Sequence, residues 1–197
     1  MLVGVVGVQG DVAEHVAAVE RAGDRRGLDV EGVAIRNTGV VPDCDALALP
    51  GGESTTISRL LDRREIAAEV VAHVEAGKPL FATCAGLIVV ARDARDERVD
   101  TLGLLDVAVD RNAFGRQRDS FEASVDVVGL DEPFPAVFIR APAVAEVGAA
   151  VEVLATVDGR PVAVREGPVV GTAFHPELTD DFRLHDLALL DPLAETA

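Results

Sequence analysis

The chain has 197 residues, of which 49% are hydrophobic, and this is enough to bury one substantial core. We expect a single domain over residues 1–197. The formal net charge is −16, with no basic patch containing interleaved aromatic residues and no apolar run of about 18 residues. These features exclude a nucleic-acid partner and a membrane-spanning helix.

The acidic residues outnumber the basic ones by 34 to 18 and are spread along the whole chain. Such an excess is best tolerated where salt screens the repulsion between surface carboxylates, because the Debye length falls to about 3 Å at 1 M ionic strength. The composition therefore predicts a halophilic source.

The two cysteines, Cys44 and Cys84, are too few for a disulfide framework, which favours a reducing compartment. The N-terminal residues lack the basic region of a signal peptide and are typical of a first strand. Both features predict a cytoplasmic protein.

The first half of the chain alternates short apolar strands with helical patterns. The predicted strands are 2–8, 30–35, 46–49 and 80–83. The predicted helices are 12–22, 55–61, 66–75 and 87–91. This alternation is typical of a parallel sheet that is covered on both faces.

The second half consists mostly of strands that are joined by glycine and proline turns. These strands are predicted at 121–128, 136–139, 151–157, 162–165 and 169–174, and a last helix at 180–190. The whole pattern predicts an α/β three-layer sandwich. Its central sheet is mostly parallel, with helices on both faces and an added antiparallel portion.

Cys84 stands between a short apolar strand and a helical pattern that begins at Ala85. This is the strand–turn–helix context of a nucleophile elbow, in which a tight turn raises the nucleophile above the edge of the sheet. Gly86 leaves room for the turn, and the N-terminus of a helix favours a thiolate. A cysteine between apolar segments is also compatible with a small buried core residue, so Cys84 alone does not decide the matter.

His175 and Glu177 flank a proline about ninety residues after this cysteine. Proline fixes its own φ and pushes the preceding residue toward an extended conformation. In an extended segment, residues i and i+2 point to the same side, so the imidazole and the carboxylate are expected to lie together. A cysteine at an elbow with an acid-backed histidine elsewhere in the chain is the general plan of an activated nucleophile.

A third block, PGGESTT at 50–56, ends a predicted strand with a glycine pair. The hydroxyl residues that follow are suited to cap a helix. Adjacent glycines allow a backbone N–H to face a site without obstruction by a side chain, as an oxyanion hole requires. The alternative is an ordinary strand-to-helix turn.

Together with ATCAGL at 82–87 and FHPELT at 174–179, this block resembles the class I, or triad, glutamine amidotransferases. Four further blocks narrow the resemblance to the glutaminase subunits of pyridoxal 5'-phosphate synthases. They are GVQGDVAEH at 7–15, RNAFGRQ at 111–117, DSFE at 119–122 and VFIRAP at 137–142. The resemblance covers nearly the whole chain and implies a flavodoxin-like fold.

The resemblance implies a role for each member of a catalytic triad. Cys84 is expected to attack the side-chain amide of L-glutamine and form a glutamyl thioester. His175 is expected to carry the proton, and Glu177 to orient His175. The backbone N–H groups of Gly52 and Ala85 are the expected oxyanion donors.

The family also implies which residues hold the glutamine substrate. These residues are Gly52, Glu53, Ser54, Arg111, Ile139 and Arg140. A fixed guanidinium suits the α-carboxylate of glutamine. Gln9 corresponds to a family glutamine near the oxyanion strand and the partner surface, which is a weaker assignment.

The implied partner is the (β/α)8-barrel synthase subunit, with which the chain would form a large hetero-oligomer and to which it would deliver ammonia. No cofactor and no metal are expected in this subunit. Two alternatives remain open at this stage. One is an amidotransferase subunit that serves another pathway, and the other is a non-catalytic, binding or chaperone-like member of the same flavodoxin-like group.

Overall fold

Twelve strands are present in the computed structural model of the chain, which describes residues 1–111 and 120–195. The count refers to these described residues. The strands are β1 (Leu2–Val6), β2 (Glu31–Ile35), β3 (Ala46–Leu49), β4 (Leu80–Thr83), β5 (Ala91–Asp93), β6 (Leu105–Asp110), β7 (Ser120–Val125), β8 (Phe134–Ile139), β9 (Ala143–Val147), β10 (Glu152–Val157), β11 (Arg160–Glu166) and β12 (Val169–Thr172).

The longer helices lie in the first half of the chain. They are α1 (Val12–Arg26), α2 (Ser54–Arg63), α3 (Ala67–Glu75) and α4 (Ala85–Val90). A C-terminal helical segment follows the last strand and consists of α5 (Arg183–His185), a π-helical stretch (Asp186–Leu190) and α6 (Asp191–Glu195). Short 3₁₀ turns cover Val41–Asp43 and Pro176–Leu178.

The central sheet has seven strands in the order β10-β11-β12-β4-β3-β1-β2. The five strands from β12 to β2 run parallel, whereas β10 and β11 pair antiparallel at the other edge. Every residue of β3, β4 and β12 is buried. Such uniformly apolar strands are expected where both faces of a parallel sheet are covered.

The helices cover both faces of this sheet. The connection from β1 to β2 through α1 moves across the sheet in one direction, and the connection from β3 to β4 through α2 and α3 moves in the other. Because parallel crossovers are right-handed, these helices lie on opposite faces. The C-terminal segment packs against α1, and α4 packs against α2.

Helix α1 shows why its sequence folds in this way. Its buried residues His15, Ala18, Val19 and Ala22 follow the spacing of one helical face. The helix ends where Gly27 adopts a left-handed conformation at φ 67°. His15 is a buried residue near the N-terminus of α1, so it lies close to the sheet edge at which the candidate site forms.

The carboxyl ends of β1, β3, β4 and β12 meet at one edge of the sheet. In open α/β sheets this edge is where binding sites form, because the loops that leave neighbouring strands converge there. The segments that leave these four strands contain Gln9, the Gly51–Gly52 pair, Cys84 and His175.

The expected fold class is confirmed, and the first four predicted strands correspond to β1 to β4. The second half differs in detail, because the prediction places no strand over β5, β6 or β9. These strands form a separate three-stranded sheet, and β7 pairs with β8 in a two-stranded one. β5 has only three residues and is defined by its pairing with β6. A local sequence pattern does not reveal such a pairing.

The last helix was also predicted too early, at 180–190. It begins at Arg183 and continues to Glu195. Asp181 accepts hydrogen bonds from the backbone and the guanidinium of Arg183, so it precedes the helix rather than belonging to it. None of the helices within the described ranges is long and apolar enough to cross a membrane.

The stability of this fold is expected to rise with salt, because the net charge of −16 is a source of self-repulsion. We expect the thermal unfolding midpoint to increase steeply between dilute buffer and molar KCl. The Debye length in molar salt is only about 3 Å, so the repulsion between surface carboxylates is largely screened. Circular dichroism melts across that range measure it. A triple variant of exposed carboxylates, Asp24→Asn with Asp29→Asn and Glu31→Gln, is expected to reduce the slope. A midpoint that does not change with KCl would contradict the explanation.

Candidate active site

Cys84 occupies a strained turn between β4 and α4. Its φ of 49° and ψ of −106° lie in a region that non-glycine residues rarely adopt. The backbone N–H of Cys84 donates to the carbonyl of Thr172 at 2.8 Å, which ties the turn to the end of β12. This strained strand–turn–helix geometry is that of a nucleophile elbow.

Gly86 makes the elbow possible. A Cβ at this position would lie 2.2 Å from the carbonyl oxygen of Leu49, far inside any allowed contact. The first turn of α4 therefore packs directly on the end of β3. This contact explains why a glycine is needed at position 86, as predicted from the sequence.

His175 and Glu177 form a buried pair at the end of β12. The Nδ1 atom of His175 lies 2.7 Å from Oε1 of Glu177, and the backbone N–H of His175 donates to the carbonyl of Val137 at 2.9 Å. The predicted extended segment is wrong beyond β12, since β12 ends at Thr172 and Pro176–Leu178 is a 3₁₀ turn. The tight turn, rather than strand periodicity, brings the carboxylate beside the imidazole.

The electrostatics of His175 favour its charged form. Burial lowers the pKa of this imidazole, but the neighbouring Cys84 sulfur and the Glu177 carboxylate raise it by more, to about 10. A charged imidazole beside the sulfur is the arrangement that activates a cysteine nucleophile.

The glycine turn after β3 lies against this pair. A Cβ on Gly51 would be 2.7 Å from Cε1 of His175 and 3.2 Å from Cβ of Cys84. Gly52 has a φ of 142°, which favours glycine. The next N–H, that of Glu53, donates to Oε1 of Gln9 at 3.0 Å, so Gln9 fixes the turn.

Glu53 caps helix α2 and also contacts Arg111. Its carboxylate accepts a hydrogen bond from the backbone N–H of Thr56 at 2.9 Å. Burial acts to raise the pKa of Glu53, but hydrogen bonds from Thr55 and Thr56 lower it to about 2. The ionised carboxylate lies 3.1 Å from the guanidinium of Arg111.

Asp96 holds the other side of the Arg111 guanidinium through a short ion pair. Hydrogen bonds from Arg98, and then from Arg111, hold the pKa of Asp96 well below its usual range. Asp96 is not among the residues predicted from the sequence, because it lies in a charged stretch without a motif. Only its approach to Arg111 in the folded chain reveals its position at the edge of the site.

A cavity of about 500 Å³ opens above the elbow. It is lined by Gln9, Gly10, Asp11, Gly52, Glu53, Ser54, Cys84, Ala85, Ile88, Arg111, Ile139, Arg140, Pro142 and His175. All of the predicted catalytic and substrate-binding residues line it except Glu177, which lies behind His175. The buried hydroxyl of Ser54 has no hydrogen-bond partner among the described residues.

Asp11, His175 and Glu177 bring ligand atoms within 4.8 Å of one another. Glu177 already occupies Nδ1 of His175, so a metal ion at this atom would have to displace the carboxylate. The expectation of no metal stays a prediction. Residues 112–119, which include most of the RNAFGRQ block and the start of the DSFE block, lie outside the described residues.

Comparison with known proteins gives the chain its family. The model of the SNO glutamine amidotransferase family matches residues 5–191. The chain belongs to this family. It is 68% identical to "Pyridoxal 5'-phosphate synthase subunit PdxT" of Halorubrum lacusprofundi over 95% of both chains. It is 69% identical to the protein of the same name from Natronomonas pharaonis, over 94% of this chain and 96% of that one.

A solved structure described as a glutamine amidotransferase has the same fold. It matches with a TM-score of 0.86 and 45% identity, over 94% of this chain and 95% of that chain. These findings confirm the resemblance to the glutaminase subunits of pyridoxal 5'-phosphate synthases and the enzyme class, glutamine amidotransferase. The halophilic organisms of the relatives agree with the acidic composition.

The contact between Gly51 and His175 leads to a test of the site geometry. We expect Gly51→Ala to displace the imidazole, because the new methyl group would lie 2.7 Å from Cε1. Glutaminase activity should fall on the order of a hundredfold, as small misplacements of catalytic groups do. Steady-state ammonia release measures the activity.

Gly77→Ala is the matched control. Gly77 has a φ of 79° and open space around its Cβ position, so alanine there strains the backbone without reaching the site. The control should lower the unfolding midpoint and keep the activity. Parent-like activity in Gly51→Ala would show that the turn does not constrain His175.

Proposed function

We propose that the chain hydrolyses L-glutamine to L-glutamate and ammonia through Cys84, His175 and Glu177. One observation carries the proposal: a cysteine at a strained elbow and an acid-backed histidine lie together at the base of a cavity of about 500 Å³. Their placement corresponds to the order nucleophile, base and orienting acid.

The reaction begins with the Cys84 thiolate beside the His175 imidazolium. The sulfur attacks the side-chain amide carbon of glutamine, and the carbonyl oxygen becomes an oxyanion. The backbone N–H groups of Gly52 and Ala85 donate to this oxyanion. The Ala85 N–H is in the first turn of α4, where backbone N–H groups have no partner within the helix.

The tetrahedral intermediate collapses when His175 gives its proton to the leaving nitrogen. The C–N bond breaks, ammonia leaves, and a glutamyl thioester remains on Cys84. His175, now neutral, takes a proton from water, which attacks the thioester carbon. The C–S bond then breaks, glutamate leaves, and the Cys84 thiolate and the His175 imidazolium are regenerated. Glu177 keeps the tautomer and orientation of His175 through both steps.

Substrate recognition is proposed to use the rim of the same cavity. Arg111 and Arg140 supply guanidinium groups for the α-carboxylate. Arg140 reaches this position from the end of β8 with a φ of 44°, a strained conformation of the kind that clusters at functional sites. Gly52, Glu53, Ser54 and Ile139 complete the binding surface, and their place in the lining of the cavity supports this role.

The ammonia is proposed to pass to the barrel subunit of a pyridoxal 5'-phosphate synthase, for vitamin B6 biosynthesis. The names of the relatives support this partner. We further propose that residues 1–197 form one domain and that it assembles with the barrel subunit into a large hetero-oligomer. The free thiols of Cys44 and Cys84 suit a cytoplasmic location.

The nucleophile is tested by comparing Cys84→Ala with Cys44→Ala. Cys84→Ala should reduce ammonia release to the uncatalysed background with the unfolding midpoint retained. Burial raises the pKa of the Cys44 thiol to about 11; Lys78 acts to lower this pKa, and Asp43 and Asp45 act to raise it. Cys44 is therefore an unreactive thiol. A diazo-oxo-norleucine analogue should label Cys84 and not Cys44 by mass spectrometry. Substantial hydrolysis by Cys84→Ala would remove this cysteine as the nucleophile.

The partner is tested by mixing the chain with the barrel subunit in molar KCl. We expect glutaminase activity to rise, because docking beside Gln9 and the Gly51–Gly52 turn can set the oxyanion donors. Cys84→Ala should bind the barrel equally well, by analytical ultracentrifugation, without releasing ammonia. Unchanged activity at saturating barrel subunit would count against the coupling.

A further inference from the structure

A buried histidine lies directly behind the Glu177 carboxylate. The Nε2 atom of His15 is 3.3 Å from Oε2 of Glu177 and 3.1 Å from the hydroxyl oxygen of Thr83. The side chains of His15 and Glu177 have no exposed surface. His15 therefore contacts both the proposed orienting acid and the strand residue that precedes the nucleophile.

The second oxygen of Glu177 needs a donor. Oε1 is bound to His175, whereas Oε2 has no hydrogen bond of good geometry among the described residues. A buried carboxylate oxygen without a donor is costly, because it has lost its hydration. The imidazole of His15 is placed to supply one, because its Nε2 lies 3.3 Å from Oε2.

The contacts also assign the proton on His15. Its Nε2 faces two oxygens, one of which belongs to a carboxylate with only lone pairs to offer. A lone pair on Nε2 would repel that carboxylate, so the proton belongs on Nε2. Nδ1 has no partner among the described residues and is then the unprotonated nitrogen.

The surroundings keep His15 neutral. Burial lowers its pKa well below the usual value, and the charges of His185 and His175 lower it further. The ring of His185 meets that of His15 edge-on at 5.7 Å. His185 itself is enclosed by Phe81 and Phe182, and burial lowers its pKa to about 4.

A neutral donor has a particular consequence for the triad. A charged His15 would form its own ion pair with Glu177 and weaken the attraction between Glu177 and His175. Asp11, at the start of α1, lies 3.9 Å from Nδ1 of His175. It is half-exposed, so it does not replace the buried Glu177.

We propose that His15 is a positioning residue, whose Nε2–H donates to Oε2 of Glu177 and keeps that carboxylate aimed at His175. The inference deepens the proposed glutaminase function and rests on it. It places a fourth side chain behind the triad, and the Nε2–H is shared with the hydroxyl oxygen of Thr83, on the strand that presents Cys84.

The test compares His15→Gln with His15→Leu. The glutamine amide nitrogen lies at about the position of Nε2 and can donate, whereas leucine cannot. We expect His15→Leu to lower kcat on the order of tenfold with little change in KM, and His15→Gln to keep most of the activity. Recovery of kcat in His15→Gln, the variant that keeps a donor near the position of Nε2, is the readout that a merely structural role would not give.

Three further variants separate positioning from packing. His15→Asn offers its amide at the Nδ1 position and should behave like His15→Leu, so it serves if the leucine variant does not fold. His185→Phe keeps an aromatic ring where the imidazole has no hydrogen bond among the described residues, and kcat should not change. His73→Leu removes another buried imidazole, bound to the Pro79 carbonyl, and should lower the unfolding midpoint alone.

Two results would overturn the inference. One is a parent-like kcat in folded His15→Leu or His15→Asn. The other is an equal loss in His15→Gln, which would assign the effect to packing. Both are distinct from failure of the proposed function, which would show as residual hydrolysis in Cys84→Ala.

Discussion

The close approach of two turns at one sheet edge is the constraint on which the site depends. The turn after β3 contacts the elbow after β4 because glycine stands at both contact points. A side chain at Gly86 would clash with the Leu49 carbonyl, and a methyl group at Gly51 would clash with the His175 ring. Backbone therefore reaches the nucleophile from two sides. This proximity is what an oxyanion hole built from backbone N–H groups requires.

The groups that stabilise the charged His175 lie in the buried interior behind the site rather than at the rim of the cavity. Glu177 is buried and bonded to His175, and its charge raises the pKa of the imidazole despite burial. Burial of a carboxylate is tolerable only when donors compensate for lost hydration. His175 provides one, and His15 is placed to provide another from α1, a helix on which no catalytic residue was predicted.

The acidic composition and the site use charge differently. On the surface, scarce arginines are shared between carboxylates, as Arg95 is between Asp110 and Glu146. Exposed pairs of this kind contribute little stability each. Arg111 is part of a similar chain with Asp96 and Glu53, but there the ion pairs fix a guanidinium at the mouth of the cavity. Ion pairs between arginine and carboxylate groups, which stabilise the surface only slightly, thus fix the position of Arg111 at the rim of the site.

The sequence by itself determined the fold class, the triad candidates and the family resemblance. It could do so because apolar periodicity, the elbow around Cys84 and the His175–Glu177 spacing are local patterns. Tertiary structure alone decided the short strand β5, the pairing of Asp96 with Arg111 and the position of His15 behind Glu177. Each of these depends on a contact between residues that are not neighbours in the sequence. Such contacts leave no local signal, because the residues that make them come together only in the folded chain.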